Sequence, residues 1–461
     1  MTRLASQRWL ALYLGFFLGL VGFVSAASAQ RVALATNAPV MPAGVVDGGA
    51  LAGSVAMQVT LYLTPDSSRQ AALASYLTSL QTPGDAAYHA WLTPQQFGTQ
   101  FGVNAVDLQS VTAYAKGAGL SVESVSPSGL RVVLSGTVSG VESAFAPALH
   151  RVTVGTQSYF VNTEAPSVPL ALSRVVGSMG GLSTVPATVA SRLGADGAAG
   201  IAVADLPGAL GQAADANTAR VLAVNSAACV DSADAATEQV LRLAMQQAGA
   251  EGMTVLAAAA CGAGSATVPG LLGDGVSVAI APGLTLAATT PLIDLRPSWQ
   301  TAEGLPDDGM RHAPDVTVSD LGALAHAVMV ILAKQPVASD GGVARLGNIG
   351  STLYRLIAEP GLYTQPDGAT SVWETQTGLG VVNLEKLEQF FPRGSLSVNV
   401  SINVSNNGNE THGQAITFTS SVTDTSGNGN GVVPTGTVNF VTGSGTTVGS
   451  VSLSAGTATA S

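Results

Sequence analysis

The chain has 461 residues, which corresponds to about three domains at ~150 residues each. Charged residues make up 10% of it, hydrophobic residues 46% and aromatic residues 5%, and the formal net charge is −11. No basic surplus is present to bind nucleic acid or anionic lipid, and two cysteines are too few for a disulfide-built scaffold or a multi-cysteine zinc module.

The N-terminus has the features of a secretory signal. Arg3 and Arg8 supply a positive region, 9–24 is almost wholly apolar, and Ala27-Ser28-Ala29 offers a small-x-small cleavage site. An uncleaved anchor helix is the alternative, but the apolar run is shorter than the ~20 residues that a span needs. We therefore expect removal of residues 1–29, no membrane span afterwards, and a secreted or cell-surface protein.

Residues 30–52 lack a periodic pattern and are interpreted as a leader. The range 53–185 then predicts a strand, helices, two strands, a further helix and final strands. One of these helices is expected to start at Thr93 and Pro94, as N-cap and first helical residue. This order is typical of a split βαβ, ferredoxin-like α+β domain.

The range 186–393 is rich in alanine and alternates between strand and helix patterns. An apolar strand at Val221–Val224, an amphipathic helix at Ala235–Ala250 and a buried strand at Met253–Ala260 predict βαβ units and a parallel sheet. The helix predicted at Leu321–Lys334 is apolar nearly all round, so we expect it to be buried in an α/β domain.

Serine, threonine, asparagine, glycine and valine dominate residues 394–461. Short alternating runs with Gly and Asn turns predict an all-β sandwich, which ends in mid-pattern at Ser461. The predicted strands are Ser395–Val404, Ala415–Val422, Gly436–Val441 and Val448–Leu453.

Five ordered motifs, in three segments of the first domain, carry a family resemblance. Tyr88–Phe97 reads YHAWLTPQQF, Ser135–Phe145 contains SGTV and VESAF, and Tyr159–Pro169 contains YFVNT and APSVP. This region resembles the activation pro-domain of the sedolisins, the kumamolisin-type serine-carboxyl peptidases. The resemblance implies a pro-domain that docks in cis on the peptidase domain of its own chain.

The second region is similar, in fragments, to the subtilisin-like peptidase domain of that family, and it is shorter. The segments that carry this likeness are Gly252–Ala258, Arg296–Gln300, Arg311–Val316, Gly347–Ile349 with Leu353-Tyr354, and Thr377–Gly380. Through Pro434–Phe440 the tail resembles a bacterial Ig-like repeat, and we interpret it as an incomplete repeat.

The resemblance implies acid-pH peptide hydrolysis by a serine, a glutamate base, an aspartate that orients it, and a second aspartate at the oxyanion hole. A hydroxyl group is a poor nucleophile without an adjacent base. A carboxylate still accepts protons at pH values where imidazole is already protonated. A protonated carboxyl group can donate to the developing oxyanion.

When the family's four catalytic residues are placed on this sequence one at a time, none of them is found. Val318–Ala323 occupies the place of the nucleophile motif, with Ser319 the nearby hydroxyl group and an expected N-cap of the following helix. The oxyanion turn reads Ala259-Ala260-Cys261, and a thiol is a weak donor.

For the Glu/Asp pair, alignment at Ala216–Val221 points to Ala204 and Gly208, neither of which is acidic. Asp205 and Asp215 remain as catalytic candidates, and we expect them to be solvated loop carboxylates.

Cys229 and Cys261 fall where family members carry cysteines, so the resemblance implies a disulfide between them. The competing reading, a catalytic thiol at Cys261, lacks a histidine partner at a motif position; His312 and His326 are interpreted as a loop and a helix-face residue.

The family's calcium site retains Asp367-Gly368 and Glu374, too few oxygen ligands for the six to eight or so that calcium takes. We expect no cofactor and no metal.

Two functions follow. The first is a secreted, catalytically inactive peptidase homologue with a binding or structural role and protein or peptide ligands as partners. The second is an active acid endopeptidase, made as a zymogen and self-processed after the pro-domain. Whether the chain is an enzyme depends on whether Ser319 and a carboxylate pair converge in the fold.

Overall fold

The structure is a computed structural model. The residues that it describes are 30–34, 46–82, 84–154, 156–184, 198–201, 206–224, 235–259, 267–272, 277–281, 294–335, 344–366, 371–391, 398–405, 413–424, 437–443, 446–454 and 457–460.

The chain divides into two compact units, and neither unit is one continuous stretch of the sequence. The first comprises Met1–Leu73, Gln95–Pro186 and Asp234–Leu243. The second comprises Ala74–Pro94, Ala187–Ala233 and Ala244–Ser461. The boundary between the units therefore does not follow a single cut along the sequence.

The elements up to residue 180 are mostly strands of antiparallel sheets. In chain order they are β1 Arg31–Ala33, β2 Val46–Ala50, β3 Ala56–Leu63, α1 Ser67–Gln81, α2 Pro94–Phe101, α3 Ala105–Gly117, β4 Ser121–Val125, β5 Arg131–Thr137, α4 Val138–Phe145, β6 Leu149–Val154, β7 Gln157–Asn162, β8 Ser167–Pro169, a 3₁₀ turn at Leu170–Leu172, and β9 Val176–Gly180.

In the described residues, the first unit contains three antiparallel sheets, with strand orders β4-β5-β3-β9, β2-β6-β7 and β1-β8. This agrees with the predicted α+β class. The range 30–52 is not wholly without regular structure, because β1 pairs with β8 and β2 with β6. Both strands are short and largely exposed, so no hydrophobic alternation marks them in the sequence.

Polar caps set the helix starts in the first unit. The Asn104 side chain accepts the Asp107 N–H at 2.9 Å and opens α3, and the Thr137 hydroxyl group accepts the Gly140 N–H at 3.3 Å and opens α4. Against the sheets, α4 buries Val138, Val141 and its neighbours in one apolar cluster.

The second unit is built on a parallel sheet. Its elements are β10 Ala198–Ile201, α5 Leu206–Ala216, β11 Val221–Val224, α6 Ala235–Ala250 (shared with the first unit), β12 Thr254–Ala258, α7 Val268–Leu271, β13 Ser277–Ala281, β14 Val316–Thr317, α8 Leu321–Ala333, α9 Gly350–Arg355, β15 Tyr363–Thr364, β16 Val381–Val382, α10 Leu384–Leu387 and a 3₁₀ turn at Glu388–Phe390.

The seven-stranded sheet has the order β10-β11-β12-β13-β14-β16-β15, and every pair is parallel except β15 with β16. Strands β11 and β12 are buried at every position, as fully covered parallel strands require. Helix α8 is buried along most of its length, as predicted, in the cluster that also contains Val221 and Leu256.

The C-terminal part of the second unit is all-β. Its strands are β17 Val398–Val404, β18 Phe418–Asp424, β19 Thr437–Val441, β20 Thr447–Ser452 and β21 Thr457–Ala460. They form two antiparallel sheets, β17-β18-β21 and β19-β20. The first four match predicted runs, and an Ig-like identity for them stays a prediction.

Of the helices in the described ranges, none is both long enough and apolar enough to cross a membrane. The predicted signal at 1–29 lies outside those ranges.

Candidate functional site

Ser319 lies two residues before the first residue of α8, with an exposed side chain. The expectation that it caps this helix is wrong, because the cap is Asp320, whose carboxylate accepts the Ala323 N–H at 2.8 Å. Both residue types cap helices well, and the charged one has the added attraction of the helix N-terminus. The Ser319 hydroxyl group forms no hydrogen bond with any residue that the structure describes.

Asp215 is not a loop carboxylate. It lies in the last turn of α5, half-buried, and its Oδ1 accepts a hydrogen bond of 2.9 Å from Gln247 Nε2. The same Gln247 nitrogen donates to Oε1 of Glu251 at 2.9 Å. One amide thus joins a carboxylate on α5 to an acidic residue just past the end of α6.

Glu251 is completely buried and keeps its proton well above acid pH. Burial raises its pKa to about 8; the Gln247 hydrogen bond and the charge of Arg345 oppose this, and the charge of Asp215 adds to it. Among the described residues, no donor reaches Glu251 Oε2 to stabilise a negative charge there. In the acid range this side chain is therefore a neutral carboxylic acid.

The remaining predicted positions do not assemble a site in the described ranges. Asp205, Cys229, Cys261, Ala204 and Asp367-Gly368 lie outside those ranges, and Gly208 lies in α5. Glu374 exchanges backbone hydrogen bonds with Gly378. Searched over the described residues alone, the chain has no group of three or more His, Cys, Asp or Glu placed to hold a metal.

The two histidines occupy separate positions. His326 lies on the exposed side of α8. His312 is half-buried, with Nε2 at 3.0 Å from Asp308 Oδ2 and its ring edge-on to Trp373 at 5.8 Å. A histidine paired with an exposed carboxylate can orient a loop, which fits the predicted loop position of His312.

A buried polar cluster of the second unit is centred on Asp315, and sequence reasoning missed it. Asp315 Oδ2 accepts from Arg311 Nη2 at 2.5 Å and from the Ala279 N–H at 2.7 Å. Its Oδ1 accepts from Arg311 Nη1 at 2.7 Å, the Tyr354 hydroxyl group at 3.0 Å and Gln300 Nε2 at 3.2 Å.

Both carboxylate oxygens of Asp315 are thus saturated by donors, and the Arg311 guanidinium group also lies 5.3 Å from the Trp299 ring centre. Burial and the neighbouring Asp315 charge raise the pKa of Tyr354 well above its usual value. The cluster fixes β14 against β13 and offers no free base or nucleophile. The signal for it in the sequence was the segment Arg311–Val316, for which a likeness to the peptidase domain is predicted from the sequence alone.

Comparison with known proteins finds a family to which the first part of the chain is similar. Residues 43–185 match the family described as Pro-kumamolisin, activation domain. A stretch of 114 residues is 30% identical to xanthomonalisin of Xanthomonas sp. (strain T-22), covering 25% of this chain and 14% of that protein. A stretch of 116 residues is 29% identical to sedolisin of Pseudomonas sp. (strain 101), covering 25% of this chain and 20% of that protein.

Residues 43–185 are therefore similar to the Pro-kumamolisin activation domain, in agreement with the motifs of the sequence. The aligned stretch spans only 14% and 20% of the length of these two relatives.

Proposed function

We propose that the chain is an exported homologue of the sedolisin-type serine peptidases that retains its activation region, does not hydrolyse peptide bonds at acid pH, and acts by binding protein or peptide ligands or as a structural component. The observation that carries this proposal is the environment of Ser319. Its side chain is exposed, and the adjacent carboxylate, Asp320, is engaged in capping α8.

A serine hydroxyl group needs a base within hydrogen-bonding distance before it can attack a carbonyl group. For Ser319, no such partner lies in the described part of the chain. Loss of the family's nucleophile motif around Ser319 in the sequence supports the same conclusion.

The second support is the pair of acidic residues in the interior of the second unit. The group between Asp215 and Glu251 is the Gln247 amide, which donates hydrogen bonds but has no nucleophilic oxygen. Glu251, with its pKa at about 8, holds its proton throughout the range where a sedolisin-type base must be ionised. This pair therefore suits a structural role.

The competing function is an active acid endopeptidase made as a zymogen. The match of residues 43–185 to an activation domain favours it, since such a domain accompanies a peptidase. Under this alternative Ser319 would be activated by a carboxylate from outside the described ranges, such as Asp205.

Further parts of the proposal concern processing and architecture. We propose export through the signal at 1–29, a disulfide between Cys229 and Cys261, no calcium or other cofactor, and an Ig-like tail at 394–461. The range 53–185 would be the activation pro-domain and 186–393 the shortened peptidase-like domain, with the pro-domain held on its own chain.

Hydrolysis of a denatured, fluorophore-labelled protein between pH 3 and pH 7 tests the proposal. The purified full chain is compared with Ser319→Ala and Asp215→Asn, and an active acid endopeptidase serves as positive control. We expect all three forms of the chain to release no more label than buffer does. Release by the natural chain that Ser319→Ala abolishes would establish the competing function instead.

A further inference from the structure

The segment Ala74–Pro94 is part of the second unit, although it lies inside the range that matches the activation domain. It contains the end of α1 and the aromatic motif at Tyr88–Trp91. Within the second unit, the Leu92 N–H donates to the Ala250 carbonyl oxygen at 3.0 Å, which fixes this segment at the end of α6.

Beside that hydrogen bond, the indole ring of Trp91 rests on two glycines, Gly252 and Gly347, which we call the glycine notch. A Cβ atom added at Gly252 would lie 2.6 Å from Trp91 Cδ2, and one added at Gly347 would lie 2.4 Å from Trp91 Cη2. Both distances are shorter than any real contact, so the notch exists only because neither residue has a side chain.

Hydrogen bonds within the second unit hold the two glycines of the notch together. The Gly347 N–H donates to the Gly252 carbonyl oxygen at 3.0 Å, and the Thr254 hydroxyl group donates to the Gly347 carbonyl oxygen at 2.7 Å. Both glycines have positive φ, +79° and +62°, which glycine adopts at little cost. Arg345 closes one side, with its Cβ 3.0 Å from the same added atom at Gly252.

The segment presents Trp91 through its own contacts. His89 stacks between Tyr88 and Trp91, with ring centres at 3.9 Å and 5.0 Å. The Tyr76 hydroxyl group donates to the Ala90 carbonyl oxygen and ties the loop back to α1. The ring is thus preorganised for the notch, which lowers the entropic cost of its binding.

We propose that the glycine notch is an indole-binding site, and that Trp91 in it keeps Ala74–Pro94 in the second unit after the chain is cut between residues 185 and 197. The activation region would then remain as a bound chain, whether or not the protein is a peptidase. This inference is therefore independent of the proposed function.

A segment from the C-terminal side of the cut lies in the first unit, which also supports continued association of the two fragments. The segment Asp234–Leu243, which follows the cut, belongs to the first unit. Within that unit, Gln239 Nε2 donates to Gln70 Oε1 at 3.2 Å. Each unit therefore keeps a piece of both fragments, and separation must break contacts in both.

The test places a site for a specific endoprotease in 187–197 of the full chain, cuts it at pH 7, and measures the dissociation constant of the two fragments. We expect the natural sequence to stay associated and Trp91→Ala to weaken association about 10- to 100-fold, the order that losing a large aromatic contact implies. Tyr88→Ala removes a ring that supports Trp91 only through the His89 stack, and it should weaken association less than Trp91→Ala does.

Gly347→Ala has a matched control in Gly309→Ala. Both glycines have positive φ, +62° and +71°, but a Cβ at Gly309 meets nothing within 4 Å. Backbone strain is therefore similar in the two variants, and only Gly347→Ala obstructs the indole ring. Fragments of Gly347→Ala should dissociate about 10-fold more readily than those of Gly309→Ala.

A second measurement uses the uncut chain, so its result does not depend on whether the fragments of these variants associate. Free indole should raise the melting temperature of the uncut Trp91→Ala chain, because it refills the notch, and should not raise that of Trp91→Ala with Gly347→Ala. Equal association of the natural and Trp91→Ala fragments would overturn the proposal. So would an indole effect that is the same with and without Gly347→Ala.

Discussion

Arg311 and Asp315 form a doubly hydrogen-bonded ion pair in which both side chains are completely buried. Removing one partner would leave a buried charge without compensation, at a cost of about 3–5 kcal/mol in the free energy of unfolding. We expect Asp315→Asn to lower the denaturant midpoint accordingly. Hydrogen exchange should also rise at the Ala279 amide, whose acceptor is the same carboxylate.

The matched control for Asp315→Asn is Asp308→Asn. Asp308 also pairs with an arginine, Arg296, but it is exposed, and exposed ion pairs contribute little. A midpoint shift as large for Asp308→Asn as for Asp315→Asn would contradict the structural role given to the buried cluster.

The buried acid Glu251 makes the second unit less stable as pH rises. Its pKa is about 8 in the folded chain against 4.5 for an unfolded one. The full contribution to stability is therefore present below pH 4.5 and is lost progressively as pH rises through 8. Glu251→Gln keeps the shape without the charge and should remove this slope, so the variant should be the more stable form at pH 8.

The control for Glu251→Gln is Glu359→Gln, at an exposed position of the same unit. Thermal unfolding from pH 4 to pH 9 measures both variants against the natural chain. A pH slope that persists unchanged in Glu251→Gln would show that another group causes it.

Alanine substitutions at the neighbouring residues Ser319 and Asp320 should have very different effects on the free energy of unfolding. Asp320→Ala removes the carboxylate that accepts the Ala323 N–H, so α8 loses its cap and the unfolding free energy should fall by about 1 kcal/mol. Ser319→Ala removes an exposed hydroxyl group and should leave it nearly unchanged. Chemical denaturation of the two variants decides between them, and a larger loss for Ser319→Ala would reverse the assignment of the cap.

Alanine substitution at two helical glycines of the first unit should change its stability in opposite directions. At Gly98 in α2, a Cβ would lie 2.2 Å from the Pro127 carbonyl oxygen, so Gly98→Ala should destabilise the first unit. At Gly117, the last residue of α3, a Cβ meets nothing within 4 Å, and Gly117→Ala should stabilise by up to about 1 kcal/mol. Melting temperatures that move in the same direction would contradict the close approach at Pro127.

Local patterns predicted most of the elements. Helix α2 starts at Pro94 as predicted, and the buried strands β11 and β12 lie where the apolar runs placed them. The leader strand β2 was missed because it is short, exposed and glycine-containing, and its pairing with β6 lies about 100 residues away in the chain.

The polar interior of the second unit was less predictable. Glu251 follows α6 directly, where an acidic residue is ordinarily solvated, but it is buried and accepts a hydrogen bond from Gln247. The glycine notch depends in the same way on contacts among Trp91, Gly252 and Gly347, which are far apart in sequence. Spacing along one segment carries no information on such contacts.

The most direct test of the absence of peptidase activity is self-processing. The purified full chain is acidified stepwise from pH 7 to pH 3, and its intact mass and N-terminal sequence are followed beside those of Ser319→Ala. We expect an unchanged mass at every pH. Cleavage between about Gly181 and Gly200 that Ser319→Ala abolishes would contradict it and would identify Ser319 as a working nucleophile.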